Sequence, residues 1–86
     1  SLPLGGVPAS SAGDDALFER LRALRRRLAD SEGLPPYIVM SDKVLRALAA
    51  IRPTTLEKMS MVNGIGEYKL RKYGALFIDA IKEFAS

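Results

Sequence analysis

Apolar residues recur at helical spacing along most of this chain. Leu17, Leu21, Leu24 and Leu28 stand at i, i+4, i+7 and i+11, one buried stripe of a helix that Phe18 widens. Asp14 or Asp15 would cap its start, and Gly33 followed by Pro35-Pro36 would end it. Residues 35–39 predict an extended piece or a single turn, because a residue before proline avoids the α region. Ser41 or Asp42 then caps a helix with Val44, Leu45, Leu48 and Ala49 on its apolar face, and Pro53 stops it. Thr54-Thr55-Leu56-Glu57 has the form of a capping box, with Glu57 three residues after Thr54. A short helix over 54–61 follows, with Leu56, Met59 and Val62 facing inward. A longer amphipathic helix over 67–84 presents Leu70, Tyr73, Phe77, Ile81 and Phe84, and Gly74 would allow a close helix crossing. No stretch shows the period of two that marks a half-buried strand, so the fold class is all-α. Leu21, Leu24, Leu45, Leu48, Leu70 and Phe77 are expected to be buried together.

Residues 1–13 break this pattern. They are rich in Pro, Gly, Ala and Ser and lack any charge, which predicts a flexible linker to a preceding domain. The alternative is a segment that packs Leu2, Leu4 and Val7 onto the body. Residues 14–86 form the single domain that 86 residues allow, and a start at serine suggests a piece of a longer protein.

Composition narrows the chemistry. The apolar fraction of 48% suffices for one core, and the 27% of charged residues suits a globular surface. No apolar run approaches the ~18 residues of a membrane span. Histidine and cysteine are both absent, which removes the commonest general base, the thiol nucleophile and the thiolate zinc site. The acidic pairs Asp14 with Asp15 and Asp30 with Glu32 sit at helix ends, where capping and solvation explain them. A binding module without cofactor or metal is therefore expected rather than an enzyme. The 13 basic against 10 acidic residues give +3, which permits a nucleic-acid contact without demanding one.

The segment Val62-Asn63-Gly64-Ile65-Gly66 carries the most information. Gly66 opens a helix whose first N–H groups lack internal partners and stand at the positive end of its dipole, a natural anion cradle. Lys69, Arg71 and Lys72 follow within two turns, and Lys69 and Lys72 share a face. Against the cradle, Glu67 and Tyr68 crowd that helix start, and the other reading of the two glycines is close helix packing. Arg20, Arg22, Arg25, Arg26 and Arg27 surround the first leucine stripe, either as a phosphate-tracking face or as an ordinary solvated one, with Arg25 nearest the core. Tyr37 could stack a nucleobase, worth roughly 1–3 kcal/mol, or sit in the core with its hydroxyl outward.

Three signatures stand in a fixed order: residues 17–25 (LFERLRALR), residues 35–42 (PPYIVMSD), and Asn63-Gly64-Ile65-Gly66 with Lys69-Leu70-Arg71-Lys72-Tyr73-Gly74. With Arg52-Pro53 between them, they resemble the HRDC domain, the "helicase and RNase D C-terminal" module, in a spacing similar to that of bacterial RecQ helicases. The resemblance covers about 14–84. It implies a compact bundle of about five helices, one of them a short piece near 36–40, closed by a pair similar to a helix-hairpin-helix unit. It also implies an accessory, monomeric DNA-binding domain of an ATP-dependent helicase of DNA repair and recombination, cytoplasmic and nucleoid-associated. Single-stranded or partly duplex DNA would be the partner. Arg22, Arg25, Arg26 and Tyr37 match the family's DNA-contacting surface, and Gly64, Gly66, Lys69 and Lys72 complete the expected nucleic-acid-binding set. Some family members contact other protein domains instead. The interspersed acids Glu19, Asp30, Glu32 and Asp42 keep a docking module that regulates the helicase core as the alternative.

Overall fold

The computed structural model describes the backbone from Ser10 and the side chains from Asp14, both through Ser86. The elements are α1 (Ser10–Glu32), α2 (Pro36–Val39), α3 (Asp42–Ile51), α4 (Leu56–Ser60) and α5 (Glu67–Ala85), with no strand among the described residues. The all-helical class agrees with the leucine periodicity and the proline stops, and the five helices, with the short α2 among them, agree with what the resemblance implies.

Helix α1 begins at Ser10, four residues before Asp14. Asp14 and Asp15 therefore lie inside it and do not cap it. Their carboxylates reach across to α3 and the residue after it, with Oδ1 of Asp14 and of Asp15 each 3.5 Å from Arg52 and Arg46 respectively. The first nine residues of the expected linker lie outside the described residues. At the other end, Gly33 turns left-handed at φ 68°, its N–H donates to Asp30, and the Leu34 N–H reaches back to Ala29. Those two bonds close a Schellman stop that needs glycine at this position.

The buried line of α1 differs from the leucine stripe. Leu17, Phe18, Leu21, Arg25 and Ala29 are buried, whereas Leu24 and Leu28 are half-buried at its margin. Helix α1 packs against α2 and α3 on one side and α5 on the other, so its contact face is wider than one stripe. Leu21, Leu45, Leu48 and Phe77 are fully enclosed, and Leu70, like Leu24, is half-buried against them.

Pro35 caps the single turn α2, with proline at its first position where no N–H is missed. Val39 and Met40 go into the core, and Tyr37 and Ile38 point out. The Ser41 hydroxyl accepts the Val44 N–H at 3.2 Å and caps α3. Arg52, at φ 55°, ends α3 just before the buried Pro53. Helix α4 is capped by Thr55 and not Thr54, its hydroxyl accepting from the Lys58 N–H at 3.1 Å. The third helical position is then Lys58, which has no acceptor to return, so the expected reciprocal box does not form. Met59 and Val62 are buried as the spacing predicts, but Leu56 is half-exposed. Its methyl lies where a side chain at Gly74 would go: a Cβ there would come within 2.7 Å of Leu56 Cδ2. Gly74 thus permits the close α4–α5 crossing of a helix-hairpin-helix pair.

Polar contacts mark the direction of the helices. Arg25 meets Asp42 and Asp15 meets Arg46, so α3 runs antiparallel to α1. Glu32 meets Lys72 and Arg20 lies over Phe84, so α5 does too. The C-terminus of α1, the turn α2 and the N-termini of α3 and α5 consequently gather at one end of the bundle.

Candidate nucleic-acid interface

The hairpin between α4 and α5 gives its two glycines different tasks. Gly64 has φ 95°, and a Cβ on it would stand 2.6 Å from Val44 Cγ2. Backbone conformation and packing both require glycine there. Gly66 has φ −84° and ψ 173°, which any residue adopts, and a Cβ on it would meet nothing within 4 Å. It caps α5 without a side-chain hydrogen bond, leaving the first-turn N–H groups open to an incoming acceptor. The packing account explains Gly64 and leaves Gly66 unexplained.

The cations separate in the same way. Arg25, expected in the DNA-contacting set although nearest the core, is 9% exposed. Its Nη1 donates to the Met40 carbonyl at 2.9 Å and to Asp42 Oδ1 at 2.6 Å, and its Nε is buried without a partner. The side chain joins α1 to the α2–α3 junction and faces no solvent groove. Lys72 donates to Glu32 Oε1 at 2.8 Å and to the Tyr68 hydroxyl at 3.1 Å. The Glu32 carboxylate beside it raises the lysine well above its ordinary range. In return Lys72 holds the Glu32 carboxyl below its usual value, helped by the Tyr73 hydroxyl and opposed by burial. Burial, then Glu32, pushes the Tyr73 phenol up. Lys72 thus latches α5 to the end of α1 and does not pair with Lys69 as a second free cation.

Arg22 and Arg26 are exposed and, with Glu19 and Ala23, line a shallow groove of about 230 Å³. Arg22 carries an exposed pair to Glu19 at 3.3 Å, of a kind that solvent and salt weaken. Arg26 pairs with no carboxylate among the described residues. Lys69, half-buried, also has no such pair. Tyr37 is 67% exposed on α2, which removes the core reading of its ring, and Ile38 beside it is also exposed. Tyr37, Gly66 and Lys69 lie at the end where α1 stops, and Arg26 and Arg22 continue from there down α1.

One exposed aromatic escaped the sequence reading as a contact residue. Tyr68, in the first turn of α5, is as exposed as Tyr37 and with Arg71 and Lys72 lines a recess of about 300 Å³. Its signal in the sequence is an aromatic that lies off the Tyr73–Phe77 stripe and crowds the helix start. Among the described residues no group of acidic side chains is placed to hold a metal, and no helix is long and apolar enough to cross a membrane.

The model of the HRDC domain family matches residues 14–81. The chain is 39% identical over 72 residues to the ATP-dependent DNA helicase RecQ of Bacillus subtilis (strain 168), covering 84% of this chain and 12% of that protein. It is 44% identical over 70 residues to the RecQ helicase of Haemophilus influenzae, covering 81% of this chain and 11% of that protein. The solved HRDC domain 3 of Deinococcus radiodurans RecQ superposes with a TM-score of 0.82 at 37% identity, over 85% of this chain and 96% of that one. The chain therefore spans about an eighth or less of the full helicases it resembles and nearly all of the isolated domain.

Proposed function

The chain belongs to the HRDC domain family, and from that premise we propose that it is a non-catalytic, DNA-binding domain of a RecQ-type ATP-dependent helicase. It engages single-stranded or partly duplex DNA weakly and tunes how the parent enzyme meets its substrate in repair and recombination. The domain acts as a monomer, without a cofactor of its own, in the bacterial cytoplasm at the nucleoid. The observation that carries this reading is the exposed Tyr37 ring at the same end of the bundle as the open start of α5 at Gly66. An aromatic face takes a base, uncapped N–H groups take a phosphate, and Lys69 and Arg26 add positive charge. Arg22 extends the contact once DNA displaces Glu19. Gly64 serves by shaping the hairpin, Arg25 by holding α2 in place, and Lys72 by fixing α5.

An NMR titration of the 86-residue chain with a short single strand tests this. Amide shifts should concentrate at Tyr37, Gly66 and Lys69 and extend to Arg26. Shifts confined to the opposite end, around Asp14 and Phe84, contradict it.

A second reading rests on Ile38, an exposed apolar side chain next to Tyr37. A protein surface would cover both, and the domain would then regulate the helicase core by docking. Under that reading the same residues respond to the parent's catalytic domains and not to DNA.

A further inference from the structure

We propose that Tyr68 is a second stacking platform, and that a nucleobase of a bound single strand lies in the recess bounded by Tyr68, Arg71 and Lys72. This rests on the reading of the domain as a DNA binder and adds a site that the first aromatic does not supply.

The ring is 67% exposed, although a tyrosine on a helix start could have folded back onto the surface. Its hydroxyl is held by Lys72 Nζ at 3.1 Å, and Lys72 is itself held by Glu32 at 2.8 Å. The bond holds the long axis of the ring in place before any ligand arrives, which lowers the ordering cost of stacking. The recess of about 300 Å³ is shallow and open along one face of α5, a shape that offers one face to a stacked base and does not enclose it.

Charge selects the occupant. Each cation at the recess already has a carboxylate: Arg71 pairs with Glu67 at 3.3 Å and Lys72 with Glu32. The Glu67 carboxylate also repels a phosphate group placed there, although solvent weakens its exposed pair with Arg71. A planar neutral base needs only the ring face and the guanidinium edge. The phosphate next to that base would fall toward Gly66, two residues before Tyr68, where the N–H groups of α5 are open. Tyr68 and Tyr37 lie at the same end of the bundle, so one strand of several nucleotides engages both.

The chain contains three tyrosines and no tryptophan, and Tyr73 is buried, so ring resonances of Tyr37 and Tyr68 are readable by NMR. The wild-type chain is titrated with a short oligothymidylate, with an abasic sugar–phosphate strand of equal length, and with thymidine monophosphate. The Tyr68 ring protons should move upfield with the oligothymidylate, and much less with the other two at equal nucleotide concentration. Tyr68→Ala should weaken binding of the oligothymidylate by about fivefold or more and leave the abasic strand unaffected, while Tyr68→Phe keeps most of the affinity. Wild-type affinity in Tyr68→Ala alongside a loss in Tyr37→Ala overturns the second platform and leaves the DNA reading intact. Equal loss for the abasic strand overturns stacking, and an equal ring shift with the mononucleotide overturns a step on a strand. Absence of any binding by the wild-type chain overturns the DNA reading itself, and this inference with it.

Discussion

The guanidinium of Arg25 lies 2.6 Å from the carboxylate of Asp42, seventeen residues later, and the two ends of that bond sit in different media. Arg25 is almost wholly enclosed, and Asp42 is largely in solvent. The arginine also satisfies the carbonyl of Met40, a residue with no exposure. Its work is therefore to hold the turn that carries Tyr37.

Replacing Arg25 by methionine keeps the apolar stem and deletes the donors. The Met40 carbonyl loses its side-chain partner, and stability should fall by about 1–3 kcal/mol. Urea unfolding checks this. Unchanged stability with weakened DNA binding would mean that Arg25 acts on the surface after all.

Gly64 and Gly66 should respond oppositely. Gly64→Ala forces a side chain into a positive-φ position and against Val44, and should cost about 1–3 kcal/mol. Gly66→Ser places a good capping residue in open space and should leave stability unchanged or raise it, by roughly a few tenths of a kcal/mol. The same Gly66→Ser change should weaken DNA binding, since its hydroxyl occupies the N–H groups offered to phosphate. Thermal melts and anisotropy on both variants separate packing from binding; a serine variant that binds as wild type contradicts the role given to Gly66.

The Glu32–Lys72 latch predicts a pH dependence. The Glu32 carboxyl is lowered in the fold from an ordinary value of 4.5, so its contribution is complete above that value and lost as pH falls through the folded one. Lys72 and Tyr73 are raised, so theirs is complete below their ordinary values, 10.5 and 10.0, and lost as pH rises through the folded ones. Glu32→Gln should therefore melt below wild type at neutral pH, and the gap should close on acidification through the carboxylate range. A gap independent of pH contradicts this assignment.

How much of this was written in the chain depends on the range of each interaction. Local signals were legible. Gly33 as a stop, Ser41 as a cap, the buried face of Val44, Leu45 and Leu48, and the inward Met59 all follow from neighbours within a turn or two. The resemblance named Tyr37 and Gly66 as candidates, and the Tyr37 ring is exposed in the fold. What stayed hidden depends on distant partners. Arg25 stood nearest the core in the sequence, but its partners Met40 and Asp42 were not legible there, and Lys72 became a latch because it meets Glu32, forty residues away in the chain. Asp14 and Asp15 gave up capping for Arg52 and Arg46, contacts that no local pattern announces. Thr55 took the cap from Thr54 although both have the right chemistry, a choice of one residue that propensity does not resolve.

The exposed arginines should act on all sequences alike. Arg26→Ala should weaken binding to any single strand and flatten the dependence on salt by about one unit of slope at most. Arg22→Ala should do less, because Glu19 already shares its charge. Anisotropy at several salt concentrations measures both. A larger effect from Arg22 than from Arg26 would contradict the pairing seen here.

The central claim is that Tyr37 on α2 is a DNA contact, and its most direct test is fluorescence anisotropy of a labelled single strand with wild-type and Tyr37→Ala chains across a salt series. The wild type should bind with a dissociation constant on the order of 10⁻⁴–10⁻⁶ M, weakening as salt rises. Tyr37→Ala should keep the wild-type helical spectrum and melting temperature, because the ring is exposed, and lose about fivefold or more in affinity. Equal binding by the two chains, or no binding by either, contradicts the account.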